Sequence, residues 1–156
     1  MATELRRYAM YRQMCEKGRA TEANAAILAA VNAARMIDPD LRAYDFDGKS
    51  DLPGHDTALP PKDRAVLRAG KLFLMMELLR KDCPTIMDNY ARAKRKATIK
   101  LTRARPLSIH DTVALLSNAA QKDLFPFFRS FGVYADAAET KFRAVFAERP
   151  ANAGRR

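Results

Sequence analysis

In segment after segment of this chain, apolar residues recur every three to four positions, and nowhere do they alternate with polar ones over a useful length. That spacing suits the 3.6-residue turn of an α-helix and leaves no half-buried strand to build a sheet from. The punctuation agrees with it. Gly18, Asp38-Pro39, Cys83-Pro84, Arg105-Pro106 and Gly132 fall where the apolar periods stop, as residues that end helices should. Three stretches, Thr85-Ile-Met-Asp88, Ser108-Ile-His-Asp111 and Asp136-Ala-Ala-Glu139, have the form of capping boxes ahead of apolar periods. The expectation is an all-α fold, a compact bundle of about six helices.

The first helix is expected from about Glu4 to Lys17, with Leu5, Tyr8, Ala9 and Met14 or Cys15 inward. The second is capped by Thr21 and runs to about Met36, with Ile27, Leu28, Val31 and Ala34 inward. Residues 38–61 read as one long irregular loop of turn chemistry, held to the surface by Leu41, Tyr44, Phe46 and Leu52. Pro61 or Lys62 opens a third helix to about Lys81, apolar on more than one stripe and therefore central. A fourth carries Ile86, Tyr90 and Ala93 inward, and a fifth carries Val113, Leu116, Ala119 and Ala120. Asp123 caps a short phenylalanine-rich helix, and a last helix holds Phe142, Val145 and Phe146. Leu67, Phe73, Met76, Leu79, Leu116, Phe127, Phe128 and Phe142 are the expected core. Residues 1–149 would make one helical domain and 150–156 a flexible tail.

Composition narrows the class. At 48% apolar residues the chain is too hydrophobic for disorder, and its two cysteines are too few for a disulfide scaffold. No uncharged apolar run of about 18 residues exists to cross a membrane, and no apolar leader follows Met1. With two isolated thiols, the expected location is cytoplasmic. Charge is segregated: residues 1–61 sum to −1 and residues 62–156 to +11. The densest stretch holds Arg92, Lys94, Arg95, Lys96, Lys100, Arg103 and Arg105 and no acid. It reads either as a solvated helix end or as a surface for nucleic-acid phosphates, an acidic protein or an acidic membrane. It lacks aromatic residues and so offers no stacking platform for single strands.

Chemistry-bearing patterns are sparse. Asp45-Phe-Asp-Gly-Lys-Ser-Asp51 looks like a calcium loop but has Lys49 and Ser50 at the fifth and sixth positions and Asp56 at the twelfth, where an EF-hand needs an oxygen ligand, glycine and glutamate. His55 and His110 are the only histidines and have no zinc spacing. Ser108, His110 and Asp111 cannot form a relay, because neighbours at a helix start point in different directions. Capping explains Ser108 and Asp111, and leaves His110 an ordinary surface residue. The six glycines form no phosphate loop. No catalytic residue, metal site or cofactor is expected, and whether a small molecule binds is left open.

The stretch Ser108-Ile-His-Asp-Thr-Val-Ala-Leu-Leu-Ser117, continuing through Asp123-Leu-Phe-Pro-Phe-Phe-Arg-Ser-Phe-Gly132, resembles a helix–turn–helix element near the C-terminus of gluzincin-type metallopeptidases, including the enhancin-like group. Lys71-Leu-Phe-Leu-Met-Met-Glu-Leu-Leu79 and Tyr90-Ala-Arg-Ala93 are similar to the long helix and follow-on helix of that region. The likeness covers about residues 65–135. In those enzymes a His-Glu-x-x-His helix and a downstream glutamate bind zinc and supply the base, and this chain has neither. The resemblance therefore implies the non-catalytic helical part alone, as a fragment or a degenerate relative. The expected function is a helical module acting through a protein partner surface or by self-association; the alternative is a basic nucleic-acid-binding protein using the 92–105 cluster.

Overall fold

Two helices of this protein touch so closely that a single methyl group would not fit between them. A Cβ added at Gly70 would collide with the Ala30 carbonyl oxygen and with the Ala34 Cβ. The alanines of the second helix and the glycine of the third thus form one close crossing, which larger side chains at these three positions would hold apart. The computed structural model describes residues 1–42, 59–99 and 107–136. Among these it forms six helices and no strand: α1 (Ala2–Glu16), α2 (Ala20–Ile37), α3 (Pro61–Asp82), α4 (Ile86–Ile99), α5 (Ile109–Ala120) and α6 (Phe125–Ser130). The all-α architecture follows the apolar period. Helices α1, α2 and α3 pack mutually, α4 lies along α5, and α6 folds back on α5.

Helix α3 is central, as its breadth of apolar residues implies. Leu67, Leu72, Phe73, Met75, Met76 and Leu79 are buried, while Val66, Leu74 and Leu78 are partly so. Leu72, Phe73, Met75, Met76 and Leu79 join Leu5 and Tyr8 of α1, Ile27 and Val31 of α2, Ile86 and Tyr90 of α4, and Val113, Leu115 and Leu116 of α5 in one apolar core. Tyr8 and Tyr11 pack their rings against Phe73 at 5.9 and 5.8 Å. Of the phenylalanine run, Phe128 is fully buried. Phe125, Phe127 and Phe131 are partly buried and packed on the core, so Phe127 sits at its margin. Phe142 lies outside the described residues, as do Val145 and Phe146.

Termini differ from the expected ones where local geometry is decided by a neighbour. Gly18, at φ 81°, closes α1, and the Arg19 N–H turns back to the Met14 carbonyl. The chain re-enters a helix at once, so α2 starts at Ala20 and Thr21 lies inside it rather than capping it. Leu28 is likewise not inward. It stands about 100° round the helix from Ile27 and is 59% exposed, because Ala23, Ile27, Val31 and Ala34 already fill the line of contact. The capping box at Ser108 is complete: Ser108 Oγ accepts from the Asp111 N–H at 3.0 Å, and Asp111 Oδ2 accepts from the Ser108 N–H at 3.2 Å. Asp123 does not cap α6 itself but holds the Phe125 N–H in a tight turn at 2.9 Å.

Within the long loop, residues 38–42 and 59–60 are described and non-helical. Leu41 does pin this segment. It adopts φ 55°, unusual for so bulky a residue, and is 1% exposed against Ala34 and Leu67. Tyr44, Phe46, Leu52, the Asp45–Asp51 turn and His55 lie outside the described residues. At the other end of the chain, Gly132 adopts φ 68° and its Cα faces the Arg42 backbone carbonyl so closely that a Cβ would strike it. Replacing Gly70 with alanine should lower stability by about 1–3 kcal/mol, the usual cost of forcing a methyl group into a filled contact. A fall in the urea midpoint with an unchanged denaturant slope checks this.

Candidate interaction and anion-binding faces

A half-buried cluster of charge joins α1 to α3. Glu77 receives the Tyr8 hydroxyl at 2.6 Å, Arg12 Nη2 at 3.0 Å and Arg80 Nη2 at 3.0 Å, and the Arg12 guanidinium also lies 5.6 Å from the Tyr8 ring centre. Burial pushes the Glu77 carboxyl up, but hydrogen bonds from Arg80 and Tyr8 and the charges of both arginines outweigh it and hold the group below its ordinary range. Burial, then the hydrogen bond to Glu77, pushes the Tyr8 phenol well above its ordinary value. Nothing in the sequence pairs Tyr8 with a carboxylate 69 positions away; only the α1–α3 packing does. Lys71 is another residue that spacing does not reveal. It is fully buried inside the apolar run of α3.

The Ser108, His110 and Asp111 trio is no relay. Ser108 Oγ donates to Asp111 Oδ2 at 2.8 Å as part of the cap, whereas His110 Nδ1 accepts the Asp136 N–H at 2.8 Å. His110 is thus more than a surface residue: it ties the start of α5 to the chain beyond α6. Among the described residues no group of three or more His, Cys, Asp or Glu is placed to hold a metal ion, and no helix is long and apolar enough to cross a membrane. Cys15 and Cys83 are free thiols, each partly buried.

The basic cluster is divided among three directions by the turn of α4. Arg92 and Lys96, four residues apart, share a face with Asn89 and line an open cleft of about 200 Å³ against Asn118 and Gln121 at the end of α5. Lys94 points the other way. With Arg6, Glu16 and Asp88 it edges a groove of about 330 Å³ floored by Leu5, Ala9, Met87 and Tyr90. Burial raises the Tyr90 phenol to about 12. Arg95 is exposed and lines neither. Lys100, Arg103 and Arg105 lie outside the described residues. The seven basic residues are therefore not one described patch; two of them converge with three carboxamides.

Helix α2 presents the opposite character. From Ala23 to Ala34 it carries no charge, and its outward side shows Ala25, Leu28, Ala29, Asn32, Ala33 and Met36, with Leu28 59% and Met36 87% exposed. Glu22 and Arg35 stand exposed at its two ends.

The Glu77 cluster generates a pH dependence. A carboxylate held below its unfolded value contributes stability that is complete above the unfolded pKa and is lost as pH falls through the folded one. Glu77→Gln should thus cost about 1–3 kcal/mol at neutral pH, and the gap between variant and parent should close as acid titrates the parent, which urea titrations between neutral pH and pH 3 would show. Comparison of the chain with protein-family models, with curated proteins and with solved structures found no match.

Proposed function

We propose that this protein is a non-catalytic helical module that works through a protein partner surface, and that the outward side of α2 is that surface. One observation carries the reading: twelve consecutive positions without charge, Ala23–Ala34, expose Leu28 and, just beyond, Met36, in a chain where 29% of residues are charged. Depletion of charge at the centre with charges at the margin is how the buried middle of a protein interface differs from ordinary surface, and Glu22 and Arg35 supply that margin. The alanines leave the helix backbone open to close approach, as they already do on its inner side against Gly70. The resemblance of residues 65–135 to the C-terminal helical region of gluzincin-type metallopeptidases supports the same reading, since that region braces a catalytic half and this chain has no His-Glu-x-x-His.

A photo-crosslinking residue at position 28, in cells producing the full chain, should give a discrete protein adduct that the same residue at exposed Lys81 does not. Leu28→Glu with Met36→Glu should change stability by no more than about 0.5 kcal/mol, as expected of exposed positions, and Met36→Glu should remove the adduct. An absence of adduct above the Lys81 control overturns the reading.

The exposure of Arg92, Arg95 and Lys96 on α4 favours a second reading, contact with nucleic-acid phosphates by Arg92, Lys94, Arg95 and Lys96 together with Lys100, Arg103 and Arg105. Retention on duplex DNA should then fall with salt at a slope of roughly 0.9 per phosphate neutralised. No retention at low salt removes it.

A further inference from the structure

We infer that the cleft between α4 and the end of α5 is a binding site for a single phosphate oxyanion. The lining carries two cations, Arg92 and Lys96, and the carboxamides of Asn89, Asn118 and Gln121, and among the described residues no acidic one lines it. A space of about 200 Å³ is smaller than the ~300–1,000 Å³ of sites that enclose a whole small molecule. It suits one tetrahedral anion with water. A planar guanidinium and an ammonium four residues apart on one helix face are a matched pair of donors for it.

The end of a helix is ordinarily a poor place for an anion, because its unpaired carbonyls carry partial negative charge. Here three of the last four are paired. The Ser117 carbonyl accepts from the Lys122 N–H at 3.1 Å, the Asn118 carbonyl from the Gln121 N–H at 3.1 Å, and the Ala119 carbonyl from Asn89 Nδ2 at 3.2 Å. Asn89 is thereby spent on clasping α4 to α5, and Arg92, Lys96, Asn118 and Gln121 remain as the donors facing the cleft.

Gln121 supplies the independent clue. It closes α5 at φ 53° and ψ 32°, a conformation that costs an ordinary L-residue energy and a glycine almost none. A side chain at a position that favours glycine is accounted for when its amide has work to do, and this one stands on the wall of the cleft. Stability and binding should therefore respond to the same substitution in opposite directions.

The test is titration of the ¹⁵N-labelled full chain with inorganic phosphate, with chloride at matched ionic strength as the reference, read at the side-chain amide signals of Asn118 and Gln121. Saturable shifts with phosphate and none with chloride are expected. Arg92→Ala and Lys96→Ala should each weaken binding about tenfold, while Lys62→Ala, which removes the same charge from the exposed start of α3, should change it less than twofold. Gln121→Gly should raise the urea midpoint and weaken phosphate about fivefold. Linear shifts shared with chloride, equal effects of Lys62→Ala and Lys96→Ala, or parent-like phosphate binding by Gln121→Gly would each overturn the site. Dimethyl phosphate names the source: binding like phosphate supports the backbone of a nucleic acid, and binding of phosphate alone supports a free or terminal phosphate group.

Discussion

The close crossing of α2 and α3 is the contact on which the rest of the structure leans. Helix backbones that meet at Gly70, Ala30 and Ala34 bring Ile27 and Val31 down onto Leu72, Phe73 and Met76. The same closeness lets Leu41 close a small second cluster against Ala34 and Leu67. Dispersion falls off steeply with separation, so spreading this crossing by even an ångström would weaken every apolar pair beside it. The alanine content of α2 is thus explained on its inner side by geometry, and its outer side is left with the same small residues and two large apolar ones.

How the helices were legible, and where they were not, follows from what is local. The periods that define α3 and α5 and the box at Ser108 are encoded within a few neighbouring residues, and they stand in the structure as read. Thr21 and Leu28 misled because their roles depend on what lies beyond their own turn: Gly18 restarts the chain one residue too early for a threonine cap, and Ala23, Ile27, Val31 and Ala34 occupy the narrow line that contact with α3 leaves. The basic stretch is legible in the sequence as one run of like charge, but not as a surface. A helix distributes consecutive side chains around its axis, so neighbours such as Lys94, Arg95 and Lys96 were bound to part company. The part of the anion cleft contributed by Asn118 and Gln121 was invisible, since neither carries a charge and both lie more than twenty positions from Arg92.

The same contrast governs the interior charges. Tyr8, Arg12, Glu77 and Arg80 make a half-buried cluster in which each formal charge has an opposite neighbour and the phenol donates to the carboxylate. Such groups contribute little beyond what desolvation removes from them, but a missing member leaves the others poorly solvated. Their effect is on specificity of packing: α1 has one rotational setting against α3 in which Tyr8 reaches Glu77, and that setting also stacks Tyr11 on the edge of Phe73.

The contact of Gly132 with the Arg42 carbonyl carries a consequence for the layout of the chain. It brings into van der Waals reach two stretches of backbone ninety positions apart, the residue that follows Leu41 and the glycine that follows α6. A side chain grown at Gly132 would therefore press on the Arg42 backbone, and through it on Leu41, whose seat against Ala34 and Leu67 lies one residue away.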